Sequence, residues 1–412
     1  MPSAAEGRKR VLLLALDDWA VAHYLCRNLV KTGLDVRALF PPGSVLNHTS
    51  FLPPGGRLSL LERLAALLLA AENRFGQPTI LRPLGWLSVW LLKARLVRLM
   101  AGFPPDFLIP VDERAVRLCR DLTAGRGGAL SADLAALLTR SLGNPATLGQ
   151  RLARAGNHDA ACAAGIRVPR QIAVVRADDA RTFAREVGYP VVLKRDHSAG
   201  GVGVRICHDA GALDAALVLF YRGASTAATS LVSLTIQQFA PGVPAMREVF
   251  CWEGQAVAGF SLIKVESYPN ATGAASVVRA INNPEMEVAT ARLVAQLGLS
   301  GFADVDFMVD ETDGRAYCIE LNARPTGLTH LGSRMGSSLE QALYAKLTGN
   351  PVAPSVLPPA ASTVAIFPKE LLRDPDSKAL RSGFHDVPWD DPEVIAYYLA
   401  RSPGPSLRRC FG

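Results

Sequence analysis

The sequence Asp-Val-Asp-Phe-Met-Val-Asp-Glu-Thr-Asp-Gly-Arg-Ala-Tyr-Cys-Ile-Glu-Leu-Asn-Ala-Arg occupies residues 304–324. Within it, apolar-rich runs at 305–309 and 316–321 flank the dipeptide Asp313-Gly314. Asp-Gly between two such runs is typical of a tight turn that joins antiparallel strands. The segment therefore predicts a β-hairpin.

The polar side chains of this hairpin predict a divalent metal site. Side chains alternate faces along a strand, so Glu320 and Asn322 point the same way, and Asp306 on the partner strand can join them. Three oxygen ligands of this kind suit Mg²⁺, which usually keeps water ligands and also binds substrate phosphates. Arg324 continues the same face and supplies a cation for a phosphate. A nucleotide site is therefore expected nearby.

The register of this metal site has one alternative. If the strand pairing slips by two residues, Asp304 replaces Asp306 as the first ligand. Phe307 favours Asp306, because the face that carries Phe307 would then be apolar. We also place Phe307 among the nucleotide-binding residues.

Length and composition bound the function classes. With 412 residues the chain has room for two or three domains, and 49% of its residues are hydrophobic. The net charge of +7 would suit an anionic partner. The arginines are scattered among helices and form no basic, aromatic-laced stripe, which argues against nucleic acid. Seven cysteines, odd in number and far apart, indicate free thiols and a cytoplasmic location.

Two apolar stretches, 58–71 and 84–100, raise the question of a membrane. Each is shorter or more charged than a spanning helix requires, so we predict amphipathic helices packed on the protein and no stable membrane insertion. Trp86 and Trp90 lie close to basic residues of the second stretch, which leaves interfacial membrane contact as the alternative.

The chain divides into three sections, with boundaries near residues 120 and 350. In residues 1–120 strand and helix patterns alternate, which predicts an open parallel α/β sheet. Residues 121–350 hold the candidate ligands. Residues 351–412 are too few for a core of their own, so we expect this extension to pack on the second section.

Two acidic pairs follow predicted strands of the first section. Asp17-Asp18 and Asp112-Glu113 come directly after apolar runs. Open parallel sheets bind ligands at the carboxyl ends of their strands. For any one of these acids, however, capping of the next helix is the favoured interpretation.

A glycine-rich loop between two predicted strands favours phosphate binding. Ser198, Gly200, Gly201 and Gly203 would let backbone N–H groups approach phosphate oxygens, and Lys194 on the preceding strand can reach the same phosphates. No Lys-Ser or Lys-Thr follows the glycines, which excludes the Walker pattern. No third glycine and no helix follow, which excludes the dinucleotide fingerprint.

In this order the motifs resemble those of the ATP-grasp superfamily, in particular the ATP-binding domain of the carbamoyl-phosphate synthase large subunit. The likeness spans about 141–350. It implies a two-lobed ATP-grasp domain, with a small lobe at about 150–235 and a large lobe at about 236–350. The first section would be the α/β domain that usually precedes it.

The resemblance implies roles for individual residues. Arg154 and Lys194 stand at the two basic positions that contact phosphates. Gln237, Gln238 and Phe239 stand in the linker that lines the adenine, although the family usually has an acidic residue there. The hairpin residues match the family's metal and phosphate positions.

The chemistry that the resemblance implies is ATP-dependent ligation with Mg²⁺ or Mn²⁺. A carboxylate attacks the γ-phosphate to give an acylphosphate, and an amine or similar nucleophile then displaces phosphate. Charge builds on phosphoryl oxygens in both steps, so cations such as Arg324 and Lys194 would supply much of the catalysis. The expected partners are small-molecule carboxylates and amines, and a homodimer is a reasonable expectation.

Further substrate residues follow from the same likeness. Arg279 lies where family members often place an arginine at the acylphosphate, and a surface arginine is the alternative interpretation. Thr326, His330 and Arg334 follow the metal strand, and His330 is equally explained as a structural partner.

Two other functions stay open at this point. An ATP-grasp phosphotransferase would stop after phosphoryl transfer. A non-catalytic nucleotide sensor would bind ATP without turnover, although the full set of ligands and cations argues against it.

Overall fold

The computed structural model describes residues 7–75, 82–195, 203–222, 234–356 and 362–401. The predictions for Ser198, Gly200 and Gly201 fall outside these residues. The strands are β1 (Arg10–Leu14), β2 (Asp35–Leu39), β3 (Phe107–Pro110), β4 (Gln171–Val174), β5 (Val191–Arg195), β6 (Val204–Cys207), β7 (Leu234–Gln238), β8 (Val243–Trp252), β9 (Gln255–Tyr268), β10 (Ala274–Ile281), β11 (Gly301–Val309), β12 (Ala316–Asn322), β13 (Thr363–Ala365) and β14 (Phe384–His385). The helices are α1 (Val21–Lys31), α2 (Leu60–Phe75), α3 (Arg82–Gly102), α4 (Glu113–Thr123), α5 (Ala132–Leu142), α6 (Leu148–Leu152), α7 (Arg154–Ala163), α8 (Ala177–Val187), α9 (Ala210–Arg222), α10 (Pro284–Leu297), α11 (Leu339–Thr348), α12 (Lys369–Arg373), α13 (Lys378–Ser382) and α14 (Pro392–Arg401).

The N-terminal strands form the predicted parallel sheet, in the order β2-β1-β3. Alternate residues of β1 enter two different cores. Val11 and Leu13 face a core shared with the large sheet, and Leu12 and Leu14 face a core built with α2 to α5. Both faces of β1 are therefore covered, as is usual for strands of parallel sheets.

A second, antiparallel sheet has the order β4-β7-β5-β6. Its residues Leu193 and Ile236 pack into a core with α8 and α9. Because neighbouring side chains in a strand point to opposite faces, Lys194 and Gln237 point away from those helices. This sheet therefore presents one polar face.

The large sheet has the order β12-β11-β8-β9-β10-β13-β14. One face packs on α10, with Val305 and Phe307 in that core. The other face packs on the N-terminal section, where Phe107 of β3 lies 6.4 Å from Phe250 of β8 between ring centroids. This shared core brings the carboxyl ends of β1 and β3 close to the second face of the large sheet.

The C-terminal extension packs on the large sheet, as expected, because β13 pairs with β10. It also contacts the N-terminal section, which the sequence did not predict. Asp390 accepts a hydrogen bond from Arg27 at 2.7 Å, and Asp391 lies 3.1 Å from His23 Nε2. Acidic side chains on the extension thus find basic and imidazole partners on α1.

The two apolar stretches form helices packed on the protein, as predicted. Inner residues of α2 and α3 join the same core as Leu12 and Leu14. Among the helices of the described residues, none is long and apolar enough to cross a membrane.

Candidate functional site

The predicted hairpin forms from β11 and β12, with Gly314 at a positive φ of 72° in the turn. Asp304 lies opposite Asn322, and Asp306 lies opposite Glu320. The Nδ2 atom of Asn322 donates to Oδ2 of both aspartates at 3.2 Å. All four side chains therefore share one face, and both candidates for the first ligand adjoin the amide.

Phe307 does not face this group. It is buried in the core beneath α10, and it lies opposite Ala245 of β8 and Cys318 of β12. Strand alternation sends Met308, not Phe307, to the same face as Asp306. The structure thus does not bring Phe307 to the acidic face, and Met308 is the apolar residue that sequence reasoning missed there.

A fourth carboxylate, Glu248 of β8, joins the same face and is fully buried opposite Asp304. Thr326 and Thr329 donate hydroxyl hydrogen bonds to it, the latter at 2.7 Å. No hairpin pattern identified Glu248, because it lies more than fifty residues away in the sequence. A signal existed in its position beside Arg247 in a strand whose other residues are apolar.

The pKa values of the buried acids on this face are raised, chiefly by burial. Burial, with repulsion from Asp306 and Glu248, raises the pKa of Asp304 well above its usual range. Burial and repulsion from Glu320 raise the pKa of Asp306 to about 6, and burial raises the pKa of Glu248 to about 7. Raised carboxyl pKa values of this kind mark functional sites.

The face fits a hard divalent cation. Oδ1 of Asp304 is buried without a hydrogen-bond partner, and the available donors are carboxylate and amide oxygens. Within the described residues, no three His, Cys, Asp or Glu side chains converge into a complete metal centre. A cation here would share its coordination between protein oxygens, water and phosphate, as Mg²⁺ commonly does.

Lys194 and Arg154 supply the opposing charge. Lys194 Nζ donates to Oε1 of Gln237 at 2.7 Å, and burial lowers the pKa of Lys194 to about 8. Arg154 stands at the start of α7, and its Nη1 donates to Oε2 of Glu320 at 3.0 Å. Arg154 therefore contacts the acidic face, and Lys194 is close enough to Glu320 and Asp306 for both carboxylates to act on its pKa.

The predicted linker residues have separate placements. Gln237 is buried, and its amide joins Lys194 to Gln171, with a hydrogen bond of 3.0 Å to the latter. Gln238 and Phe239 are half-buried where β7 of the small sheet leads into β8 of the large one. A chain joining two sheets at this point is a natural hinge.

Gly203 is the described end of the predicted phosphate loop. It is buried, and its carbonyl accepts a hydrogen bond from the N–H of Arg195 at 2.8 Å. This contact continues the pairing of β5 and β6, so the predicted loop begins and ends at neighbouring points of the small sheet.

Arg324 reaches across to the N-terminal section. It is buried, its Nη2 donates to Asn322 Oδ1 at 3.3 Å, and its Nε lies 3.6 Å from Oε2 of Glu113. Its guanidinium lies 4.9 Å from the ring centroid of Trp19. The strand ends of the N-terminal sheet therefore border this site, and Asp112 has the predicted capping role, accepting from Ala115 N at 2.9 Å.

Arg279 is not part of this group. Arg279 of β10 pairs with Ile263 of β9, Ile263 pairs with Ala245 of β8, and Ala245 pairs with Phe307 of β11. Because directly paired residues share a face of the sheet, Arg279 lies on the face of Phe307, opposite to that of Asp306. Its side chain is exposed. Strand alternation therefore separates Arg279 from the acidic face, and its predicted catalytic role has no support in its placement.

Two of the three predicted substrate residues after β12 are engaged elsewhere. His330 Nε2 lies 2.9 Å from the buried Asp386, the structural role that was the alternative for it. Arg334 stacks on Phe384, 3.7 Å from the ring centroid. Of these three predicted residues, Thr326 contacts the acidic face, through Glu248, as does Thr329.

Comparisons with known proteins agree with the likeness found in the sequence. Residues 154–242 match the family described as carbamoyl-phosphate synthase L chain, ATP binding domain. This match begins at Arg154 and ends at Gly242, so it covers the small sheet and the linker. The carbamoyl phosphate synthase large chain of Thermus thermophilus is 29% identical over 201 residues, which are 46% of this chain and 18% of that protein. The chain thus spans less than a fifth of that relative.

Solved structures share the fold over most of the chain. N5-carboxyaminoimidazole ribonucleotide synthetase from Thermus thermophilus has a TM-score of 0.57 at 16% identity, with 86% of this chain and 82% of that chain covered. The biotin carboxylase domain of the 2-oxoglutarate carboxylase of Hydrogenobacter thermophilus, solved with MgADP and bicarbonate, has a TM-score of 0.55 at 15% identity, with 84% and 71% covered. The predicted likeness is confirmed: residues 154–242 match the carbamoyl-phosphate synthase ATP-binding domain, and the chain has a mixed α/β fold similar to those of the carboxyaminoimidazole ribonucleotide synthetase and the biotin carboxylase domain.

Proposed function

We propose that this chain is an ATP- and Mg²⁺-dependent ligase that activates a carboxylate as an acylphosphate and joins it to an amine or similar nucleophile. One observation carries the proposal. Arg154 lies 3.0 Å from Glu320 of the acidic face made of Asp306, Glu320 and Asn322, and Lys194 is close enough to Glu320 and Asp306 for both carboxylates to act on its pKa. Cations beside metal-ligand oxygens are what a nucleoside triphosphate with Mg²⁺ requires.

In this proposal ATP lies between the small and the large sheet. Arg154 and Lys194 hold phosphate oxygens. Gln238 and Phe239 border the base, and Met308 is the apolar side chain on the large-sheet side. Asp306, Glu320 and Asn322 would hold Mg²⁺, which neutralises charge on the phosphoryl oxygens when bound.

The chain's own residues would support two displacements. A carboxylate oxygen forms a bond to the γ-phosphorus while the bond to ADP breaks. The nucleophile then bonds to the acyl carbon, phosphate leaves, and a proton is released from the amine. Lys194 and Arg324 stabilise the charge that builds on phosphoryl oxygens, because both cations are buried and held in place.

The carboxylate would lie on the N-terminal side of Arg324. Trp19 and Glu113 border the arginine there, and both follow strands whose carboxyl ends are a usual ligand position. We infer that residues 1–120 form the preceding α/β domain and that the lobes divide near residue 235. The match to biotin carboxylase, a domain solved as a dimer, supports a homodimer as the oligomeric state to test.

A cytoplasmic location belongs to the same proposal. The six cysteines among the described residues are free thiols, and five of them are buried. Free thiols in such number fit a reducing compartment.

The experiment measures ADP release by the purified chain with MgATP and a panel of carboxylic acids, without and then with amines. The ligase predicts ADP release that depends on a carboxylate, with an amide product by mass spectrometry once an amine is present. A phosphorylated acid as the final product would replace the ligase with a phosphotransferase. If the chain bound ATP without turnover with every acid, and Glu320→Ala behaved in the same way, the chain would be a nucleotide sensor instead.

A further inference from the structure

Helix α2 has an inverted distribution of apolar residues. Its outward side chains are leucines, namely Leu60, Leu61, Leu64, Leu67 and Leu68, and Leu60 is 72% exposed. Its buried residues are Glu62, Ala65, Ala66 and Leu69, so only one leucine of the described part of α2 faces inward. A helix at a protein surface normally shows the opposite arrangement.

The orientation of α2 is fixed by contacts on its inner side. Glu62 is buried, accepts a hydrogen bond from the N–H of Ser59 at 2.8 Å, and lies 3.8 Å from Arg95 and 3.5 Å from Arg98 of α3. A rotation that buried the leucines would break these contacts and expose Ala65. The leucine face is therefore held outward by the fold.

Helix α3 extends the same apolar surface. Because α2 and α3 bury their inner residues in one core, their outer faces lie on one side of the protein. The outer residues of α3 include Trp86, Trp90, Leu84, Leu87 and Val97, all exposed. Ten large apolar side chains on two adjacent helices exceed the scattered exposure that is normal for a surface. We call these ten side chains the α2–α3 face.

Charge around this face points to its partner. Residues 57–102 contain seven basic and two acidic side chains, so this segment holds most of the net charge of +7. One acid, Glu62, is buried and paired, whereas Arg63 and Arg98 are exposed beside the leucines. Leucine and tryptophan bordered by arginine are the composition of helices that lie in the surface of an anionic bilayer.

We propose that the α2–α3 face docks on the surface of an anionic lipid bilayer. The leucines and both tryptophans enter the headgroup region, and the arginines contact lipid phosphates and carboxylates. A second copy of the chain fits less well, because a two-fold contact would bring two basic faces together. The complementary charge is carried by the bilayer.

The test uses the full chain and sedimentation with vesicles. One set contains phosphatidylcholine alone, and the other contains about one third phosphatidylserine. We expect co-sedimentation with the anionic set only, weakened as salt rises, because the electrostatic contribution is screened. The double variant Trp86→Gln, Trp90→Gln should lower the partition coefficient by about tenfold or more.

Matched controls distinguish a specific loss of vesicle binding from loss of folding. Trp389→Ala removes an exposed tryptophan outside the face and should leave vesicle binding unchanged. Arg63→Gln should weaken binding to anionic vesicles and leave the melting temperature unchanged, because Arg63 is exposed. Equal binding to both vesicle sets, or none to either, would overturn the proposal. It would also be overturned if the double variant lost self-association instead of vesicle binding, since the occupant would then be a second copy.

Discussion

Replacement of Lys194 by methionine should remove nucleotide-dependent function while the folded protein gains or keeps stability. Lys194 is 6% exposed, and its ammonium group donates to Gln237 at 2.7 Å. Methionine keeps the length of the side chain but removes the charge. Active-site groups that are buried and charged commonly cost stability, so loss of function and loss of folding can be separated here.

The expected stability change follows from the pKa of the lysine. Burial lowers this pKa from 10.5 to about 8, which corresponds to a cost of about 3 kcal/mol in the free energy of folding. Between those two values the unfolded chain binds more protons than the folded one, so stability rises with pH in that window. At pH 7 both states are protonated, and the full cost is present. Loss of the bond to Gln237 offsets about 1–3 kcal/mol of the gain.

The functional loss should be large. A preorganised cation or donor at a developing oxyanion is typically worth about 10²–10³ in rate. We expect the rate of carboxylate-dependent ADP formation to fall by that factor in Lys194→Met. The increase in melting temperature that MgATP gives the wild type should also largely disappear, because the phosphate contact is lost.

The assay is thermal unfolding with and without MgATP, combined with ADP release. Arg195→Met is the matched control, because Arg195 is adjacent on β5 and its guanidinium lies 5.8 Å from the ring centroid of Phe220, in the core on the other side of the sheet. This control should keep both the MgATP shift and the rate. A Lys194→Met protein with wild-type turnover, or one that melts several degrees lower without ATP, would refute the reasoning.

Three further predictions concern other parts of the molecule. Glu320→Gln should abolish Mg²⁺-dependent ADP release. It should change the free energy of unfolding by less than about 1 kcal/mol, because the ion pair between Glu320 and Arg154 is partly exposed. The control is Glu311→Gln in the exposed turn of the same hairpin, which should keep ADP release. Gly242→Ala should destabilise the chain by about 1–3 kcal/mol from its backbone conformation alone, because φ is 111° there. In addition, a Cβ would lie 2.0 Å from the carbonyl oxygen of Val309. Urea unfolding measures the change, and Gly149→Ala should be tolerated, because a Cβ at that position meets open space. Asp390→Asn should lower stability at pH 7 by about 1 kcal/mol after solvent screening. Burial raises the pKa of Asp390, but hydrogen bonds from Arg27 and Lys31 outweigh it and bring the pKa to about 2, so the difference from wild type should be constant above about pH 4 and vanish as the pH falls through 2. A difference that grows on acidification would contradict that assignment.

The local part of the site was predictable from sequence. The hairpin followed from Asp-Gly between apolar runs, and strand alternation placed Asp306, Glu320 and Asn322 on one face. Lys194 was predictable from its strand and the glycines that follow. Alternation also predicts that Phe307 leaves that face, which the family likeness had obscured.

The rest depended on contacts between distant segments. Glu248 joins the acidic face only because β8 pairs with β11, and Trp19 and Glu113 reach Arg324 only because one core joins the N-terminal sheet to the large sheet. The sequence likewise predicted helices near residues 60 and 90 but not which side of α2 faces water. Helical periodicity identifies an apolar face and cannot say what covers it.

Residue spacing by itself was sufficient for the hairpin, the parallel N-terminal sheet and the nucleotide-binding likeness, because alternation and turn chemistry act over a few residues. Strand order and packing decided the composition of the acidic face, the exclusion of Arg279 and the outward leucines of α2. Such features arise from contacts between segments that are separated in the sequence. The free energies of these contacts come from desolvation and close packing, which arise only in the folded chain.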